Sequence, residues 1–288
     1  DANIGFSITN NWGTDTSADP EGMAYLFFYD SGCEPWRFDF PGKEAGRISL
    51  PEGSYSFIMF NDDTASIDFV SNENEHIFAT TKNVTIGFDP HIGELRASPD
   101  MMWADASILV KLDPNCLEYT TSEYAKKIDL IHNADMNMIT NPQQIVARYT
   151  LLINHIENLS GVACMKGLLS GMSSGINLNT NTHSEKAVSI PFDLSVAADS
   201  AVCSEFLTFG LPGSPASEPN DILLFFKLSD GNIIKYDFDK TEEIRNASDP
   251  LNVKLTIDSI HLPYAPPIEG NSGFAPSVAG WTTVVVNY

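Results

Sequence analysis

Residues 222–238 read ILLFFKLSDGNIIKYDF and carry a clear β-hairpin signal. Two runs of β-favouring residues, 222–228 and 233–238, flank the turn Asp230-Gly231-Asn232. Because Asp-Gly tolerates the positive φ angles that a tight hairpin turn needs, the stretch predicts an antiparallel β-hairpin.

Short apolar runs of the same kind recur on both sides of this hairpin, each bounded by turn-forming residues. The earlier runs lie at residues 4–8, 24–29, 47–50, 54–60, 67–70, 84–88, 136–139 and 145–156. The later ones lie at 168–178, 187–194, 205–209, 253–260 and 281–288. Neither half of the chain shows the strand–helix alternation of a parallel α/β enzyme. We therefore predict an all-β chain built of β-sandwiches.

The chain length favours two domains, because 288 residues are more than one hydrophobic core usually serves. Residues 89–105 are less regular and contain Pro90 and Pro99, so we place the junction there. The predicted domains are residues 1–98 and 99–288.

One helix is predicted, at residues 122–132, as a short insertion in the second domain. Ser122 can cap its first turn, and Tyr124, Ile128 and Ile131 fall on one helical face.

The net charge of −22 excludes some partners. A surface this acidic repels phosphate backbones and anionic lipid heads, which argues against nucleic acid and against electrostatic docking on a membrane. No apolar run approaches the roughly 20 residues of a transmembrane helix. The first residues carry neither an initiator Met nor a basic and apolar signal region, so we interpret the chain as a mature or trimmed form.

The four cysteines, at 33, 116, 164 and 203, form no C-x-x-C pair. We interpret them as mostly buried free thiols, and one disulfide stays open as an alternative. The six histidines show no metal-ligand spacing, and no Walker A or dinucleotide fingerprint is present. No cofactor and no metal site are predicted.

The strongest pattern for catalysis is G-x-S-x-G at residues 171–175, with Ser173 in the position of a hydrolase nucleophile. That chemistry needs a sharp turn from a strand into a helix. The residues that follow, 176–182, alternate like a strand instead, which favours a bulged strand of small residues over an enzyme.

The four tryptophans offer an alternative function. Trp12, Trp36, Trp103 and Trp281 could form a platform on which sugars stack, although buried core aromatics are the commoner use of tryptophan in a sandwich. Glycosidase chemistry stays open, because any two of the 38 acidic residues could meet in a cleft.

An ordered series of short motifs covers most of the chain. These are PEGM at 20–23 with FFYD at 27–30, LPEGSY at 50–55 with FN at 60–61, PDMMWA at 99–104, GLLSGM at 167–172, TFG at 208–210, FDKT at 238–241, and GF at 273–274 with GW at 280–281. In this order they resemble Bacteroidales fimbrillin-like surface lipoproteins, a group that includes FimA/Mfa-type and DUF5119-like proteins.

The resemblance implies two tandem transthyretin-like or Greek-key sandwiches. It also implies export as a lipoprotein, with a lipid anchor upstream of Asp1, and a location at the cell surface, outer-membrane-anchored or fimbrial. The implied function is that of a non-catalytic fimbrial subunit or adhesin. Its partners would be other fimbrial subunits or a host or bacterial surface ligand. The helical insertion departs from the family pattern.

The last strand is the candidate assembly element, because such subunits polymerise by passing a strand between neighbours. The residues concerned are Trp281, Val284, Val285, Val286 and Tyr288. Val284, Val286 and Tyr288 alternate on one side, which favours that side as the face toward a core. The alternative, which we prefer, is that the strand completes its own domain. Two further functions remain open: a carbohydrate-binding lipoprotein of a glycan-uptake system and, with least support, a serine hydrolase.

Overall fold

The structure is a computed structural model. It describes residues 3–15, 17–28, 34–51, 53–72, 76–87, 93–105, 110–113, 118–120, 128–130, 136–198, 200–213, 218–268 and 283–285.

Nearly all of the regular secondary structure in the described part is β-strand, which confirms the all-β prediction. The strands of the first half are β1 (Asn3–Asn10), β2 (Gly22–Phe28), β3 (Trp36–Pro41), β4 (Arg47–Pro51), β5 (Gly53–Asn61), β6 (Ile67–Asn72), β7 (His76–Thr81), β8 (Val84–Ile86), β9 (Trp103–Asp105), β10 (Val110–Asp113), β11 (Glu118–Thr120), β12 (Ile128–Leu130), β13 (Met136–Thr140) and β14 (Gln143–Gln144).

Those of the second half are β15 (Ala147–Ile153), β16 (Ile156–Glu157), β17 (Val162–Ser173), β18 (Gly175–Asn177), β19 (Thr182–His183), β20 (Ala187–Phe192), β21 (Ser195–Ala198), β22 (Ala201–Thr208), β23 (Asp221–Leu228), β24 (Ile233–Asp239), β25 (Asn252–Ile257), β26 (Ile260–His261) and β27 (Thr283–Val285). A 3₁₀ turn spans Leu159–Gly161, and one short helix, α1, spans Thr241–Arg245.

The first sandwich consists of two sheets. Sheet 1 has the order β10-β11-β13-β1-β4, and sheet 2 has the order β14-β9-β5-β2-β3, with β12 also pairing with β5. Their facing sides bury an aromatic core in which Phe27 contacts the rings of Phe6, Tyr55 and Phe57. The alternation of apolar and polar residues in β1 follows from this arrangement, because only one face of sheet 1 meets the core.

The outer face of sheet 2 is buried as well. It packs against sheet 3, which has the order β19-β18-β7-β6 and so combines strands from both halves of the chain. The core between these sheets takes Leu26 and Ile58 from sheet 2, Ala79 from β7, Ile176 from β18, and Phe209 from the loop after β22. Burial on both faces explains why β2 is continuously apolar rather than alternating.

The second sandwich packs sheet 4 (β21-β22-β15-β25) against sheet 5 (β20-β17-β23-β24). In its core the rings of Phe192 and Phe206 stack with centroids 4.0 Å apart. The predicted hairpin is confirmed, since β23 and β24 pair antiparallel across the turn at Asp230 and Gly231, and Gly231 has φ 90°. The strand β23 is apolar on both faces because its outer residues Leu223 and Phe225 are also buried.

The predicted helix at 122–132 is wrong where the structure describes it. Residues 128–130 form β12, which pairs antiparallel with β5 so that Ile128 lies opposite Tyr55. The other residues of that prediction lie outside the described ranges. Backbone pairing with a neighbouring strand overrides a local helical pattern.

The predicted division into domains at residue 98 stays a prediction. The backbone pairing shows that β9, β13 and β14, which follow residue 98, join the sheets of the first sandwich. The strand β18 joins sheet 3 through its pairing with β7. In the described part of the chain, no helix has the length and apolar character that a membrane span requires.

Candidate assembly site

The C-terminal strand β27 lies against β8, nearly two hundred residues earlier in the chain. The two strands pair antiparallel, with Thr283 opposite Ile86, Val284 opposite Thr85, and Val285 opposite Val84. We call β8, the adjacent residues 94–97 and the buried residues under β8 (Cys164, Leu168, Leu223 and Phe225) the C-terminal strand seat.

The other edge of β8 is joined to residues 94–97. The backbone N–H of Val84 donates to the carbonyl of Leu95 (3.0 Å), and that of Ala97 donates to the carbonyl of Lys82 (3.0 Å). The same segment bonds to β20 of the second sandwich, where Arg96 N–H donates to the carbonyl of Ser189 (3.0 Å). A continuous path of backbone hydrogen bonds therefore runs from β27 through β8 and residues 94–97 to sheet 5.

The floor of the seat is apolar. Val84 and Ile86 are buried and pack with Leu95 and with the outer face of sheet 5, which contributes Cys164, Leu168, Leu223 and Phe225. Burial raises the pKa of the Cys164 thiol, so the group is a small apolar packing residue rather than a reactive thiolate.

A charged cluster fastens residues 94–97 to both halves of the chain. The carboxylate of Glu94 accepts from Arg96 Nε (2.7 Å) and also pairs with Lys186, while Arg96 Nη1 donates to Thr80 Oγ1 (3.2 Å). Burial alone would raise the pKa of Glu94, but the hydrogen bonds from Lys186 and Arg96 lower it below its ordinary value. The carboxylate is therefore ionised at neutral pH and holds two of the chain's 16 basic residues.

The structure places two of the five predicted assembly residues in the seat. Val284 and Val285 belong to β27, whereas Trp281, Val286 and Tyr288 lie outside the described residues. The register puts Val285 opposite Val84 and Val284 opposite Thr85. The assembly role of the strand stays a prediction.

Ser173 does not have the geometry of a nucleophile elbow. It is the last residue of β17, it is buried, and β18 follows as a strand rather than a helix. Its hydroxyl donates to the carbonyl of Gly175 (2.8 Å), with the carbonyl of Ser184 at 3.1 Å. Within the described ranges, no histidine hydrogen-bonds to it. These hydrogen bonds fix the junction between β17 and β18, and they do not activate the Ser173 hydroxyl as a nucleophile.

The tryptophans do not form one platform. Trp103 is buried and meets Trp12 edge to face at 6.3 Å, and its Nε1–H donates to Asp15 Oδ2 (3.0 Å). Trp36 lies on β3 with half of its surface exposed, and Trp281 is outside the described residues.

Cys164 and Cys203 are free, as expected, while Cys33 and Cys116 are not described. The described side chains contain no group of three or more His, Cys, Asp or Glu arranged to hold a metal ion.

A family model described as "Domain of unknown function (DUF5119)" matches residues 3–193, more than half of the chain. The chain belongs to the DUF5119 family. The DUF5119-like resemblance of the motifs is thereby confirmed. No curated protein matches this DUF5119 chain.

Solved structures share the fold of this DUF5119 chain. A candidate adhesin from Bacteroides ovatus superposes with a TM-score of 0.60 at 19% identity, covering 91% of this chain and 95% of that one. The fimbrial anchor protein Mfa2 of Porphyromonas gingivalis gives 0.52 at 13% identity, with 99% and 96% covered. A candidate polysaccharide-binding protein from Bacteroides thetaiotaomicron gives 0.55 at 9% identity, with 91% and 92% covered. At these identities, the similarities show that this chain shares the fold of the three structures.

Proposed function

We propose that the protein is a non-catalytic subunit of the cell surface, fimbrial or adhesin-like. The observation that carries the proposal is the C-terminal strand seat, in which β27 pairs antiparallel with β8, nearly two hundred residues earlier in the chain, and β8 itself packs on an apolar cluster. A strand that is added to a sheet edge in this way is the element that strand-passing subunits exchange with a neighbour. The structural neighbours, a candidate adhesin and a fimbrial anchor protein, support the same interpretation.

The proposal includes export and attachment outside the cell. We expect a lipid anchor upstream of Asp1, an outer-membrane or fimbrial location, and partners that are other subunits or a surface ligand. Antibody labelling of intact cells, together with fractionation of sheared surface material, tests this location. Recovery of the protein only from the cytoplasmic fraction would contradict it.

Deletion of residues 281–288 distinguishes the two roles of the last strand. If the strand completes its own domain, the truncated monomer unfolds at a lower denaturant concentration than the full chain. If the strand is passed to a neighbour, the truncated monomer keeps its stability but no longer enters high-molecular-mass surface material. A peptide of residues 281–288 should bind the truncated protein in both cases, and a scrambled peptide is the matched control. Failure of the native peptide to bind would show that β8 is not an acceptor edge.

Carbohydrate binding is a second candidate because Trp36 exposes half of its indole on an edge strand. Exposed tryptophan faces are the usual stacking surface for sugars. A glycan array gives the test, with Trp36→Ala as the matched variant. Binding of one sugar class that Trp36→Ala abolishes would favour this function over the first.

A further inference from the structure

The edge strand β24 differs from three other sheet edges in the described part of the chain. At the end of β3, Gly42 N–H donates to Glu21 O (2.7 Å). Successive residues of an antiparallel pair alternate between bonding to the partner strand and pointing away from it, so the backbone of Pro41 points away from β2. At β4, Ile8 N–H donates to Gly46 O (2.9 Å), which points the backbone of Pro51 outward. Proline has no N–H, so neither edge presents a full row of donors.

The β25 edge is blocked in another way. There, the ammonium group of Lys240 donates to the carbonyl of Thr256 (2.7 Å). In the parallel pairing of β15 with β25, Asn154 N–H donates to the carbonyl of Ile257 (2.8 Å), so Thr256 is one of the residues whose backbone points away from β15.

The β24 edge has no such block. Lys240 N–H donates to Asn220 O (3.0 Å) and Leu228 N–H to Asn232 O (2.8 Å), so the even-numbered residues exchange hydrogen bonds with β23. The backbones that point outward are therefore those of the odd-numbered residues Ile233, Lys235, Asp237 and Asp239. Within the described residues β24 ends the order of sheet 5, and this row has no strand beside it. Such a row of unpaired donors and acceptors is a template for another strand.

The side chains along this edge are complementary to themselves. In an antiparallel pair of β24 strands centred on Tyr236, Lys235 of each copy lies opposite Asp237 of the other. Twofold registers centred on Lys235 or on Asp237 would instead place like charges across from each other, which is destabilising. Within one chain the same two groups make only a loose contact, with Lys235 Nζ 3.9 Å from Asp237 Oδ2, and both are about half exposed. They are therefore free to turn toward a neighbour.

The opposite face of the strand fits the same register. Ile234, Tyr236 and Phe238 are partly buried against the core of the second sandwich. In the paired arrangement Ile234 lies opposite Phe238 of the other copy, and Tyr236 lies opposite its own equivalent. Aromatic and β-branched cross-strand pairs are those that stabilise sheets. At the two ends Ile233 faces Asp239, and these pairs contribute backbone bonds only.

We propose that β24 is the contact surface of a twofold homodimer, in which two copies of sheet 5 join edge to edge into one eight-stranded sheet. A twofold contact uses the same patch on both copies, which is what the register centred on Tyr236 requires. It would form about eight backbone hydrogen bonds, because each outward residue both donates and accepts. The contact uses the free edge of β24 and not the pairing of β27 with β8, although Leu223 and Phe225 beneath β8 are the neighbours of Asp237 and Lys235 on β23.

Charge reversal tests the contact. In the Lys235→Asp variant, an acid at position 235 of each copy lies opposite Asp237 of the other. In the Asp237→Lys variant, a base at position 237 of each copy lies opposite Lys235 of the other. Each variant therefore places two like-charged pairs in the dimer and should weaken self-association by about tenfold or more. The two variants mixed should restore a dimer. In the mixed pair the introduced acid of one copy meets the introduced base of the other, and the remaining native Asp237 and Lys235 meet in the same way. Lys254→Asp on the exposed face of β25 changes the net charge as Lys235→Asp does and should leave association unchanged.

The measurement is sedimentation velocity over a range of protein concentrations, in about 0.15 M salt so that the Debye length of about 8 Å screens the net repulsion between acidic copies. Circular dichroism of each variant checks the fold. A native chain that stays monomeric at every concentration would overturn the proposal. So would a dimer that survives both single reversals, or single variants that fail to associate when mixed.

Discussion

Replacing Gly175 with alanine should destabilise the junction between the two sandwiches. Gly175 begins β18, which pairs with β7, and a Cβ added there would lie 2.4 Å from the carbonyl oxygen of Ala79 and 2.6 Å from Cζ of Phe78. The Phe78 ring can turn aside, but the Ala79 carbonyl belongs to the backbone of sheet 3. Accommodating the methyl group therefore requires the two strands to separate.

The size of the effect follows from two opposing contributions. Overpacking of a buried contact costs about 1–3 kcal/mol. Alanine also restricts the unfolded chain, which returns about 0.4–1 kcal/mol. We expect a net loss of about 1–2 kcal/mol in the free energy of unfolding, which lowers the melting temperature by roughly 2–6 °C for a chain of this size.

Urea unfolding followed by tryptophan fluorescence measures this loss. Gly93→Ala is the matched control, because a Cβ at Gly93 meets no atom within 4 Å. Since the core beneath sheet 3 contains residues from both halves, both sandwiches should unfold in one transition. A Gly175→Ala variant that unfolds at the same urea concentration as Gly93→Ala would refute the packing argument.

Three further outcomes are expected. Ser173→Ala should lower the free energy of unfolding by about 1 kcal/mol through the lost buried hydrogen bond, measured by urea unfolding, and unchanged stability would show that this bond contributes nothing. Because the pKa of Glu94 is lowered in the folded state, its contribution to stability is present above the unfolded value of about 4.3 and is lost as the pH falls further. Wild type and Glu94→Gln should therefore differ in stability at pH 7 and converge in acid, and a constant difference would contradict the ion cluster. Mass spectrometry after maleimide treatment should find Cys203 labelled in the folded protein and Cys164 labelled only after unfolding, and equal labelling would contradict the burial of Cys164.

The elements that could be predicted from the sequence are those with a local signal, either a turn motif or an alternating pattern. The hairpin around Gly231 and the alternating strand β1 were predictable because Asp-Gly turns and period-two patterns are local signals. The strand β3 carries the same period-two signal in Trp36, Phe38 and Phe40, and the sequence-based prediction missed it. The helix α1 is only five residues long, too short for a periodic pattern to reveal.

The pairing of strands distant in sequence was not predictable. The strands β1 and β13 pair in parallel although they are more than a hundred residues apart, and β15 and β25 do the same. The predicted helix is wrong at residues 128–130 for the same reason, since the neighbour that makes these residues a strand is β5. A local pattern is compatible with more than one type of element, and pairing or packing with a neighbour that is distant in sequence determines whether the segment forms a helix or a strand.

The candidate site shows the same limit. Both β8 and β27 were predicted as strands, yet no feature of either sequence identifies the other as its partner. Glu94 and Arg96 alternate in the way that two residues on one strand face do, which is a usable signal. Lys186, which completes the ion cluster, comes from a distant part of the chain, and only the fold brings it there.

The G-x-S-x-G pattern shows how packing alone can produce a motif that resembles a catalytic one. Gly171 has φ 71°, and a Cβ there would lie 2.5 Å from the carbonyl oxygen of Pro219, so only glycine fits this bulge of β17. Gly175 is required four residues later because β18 crosses close to β7. Ser173 lies between them, buried, and its hydroxyl bonds to the carbonyl of Gly175. Each of the three motif positions thus has a separate structural requirement, and together they account for the pattern without any catalytic step.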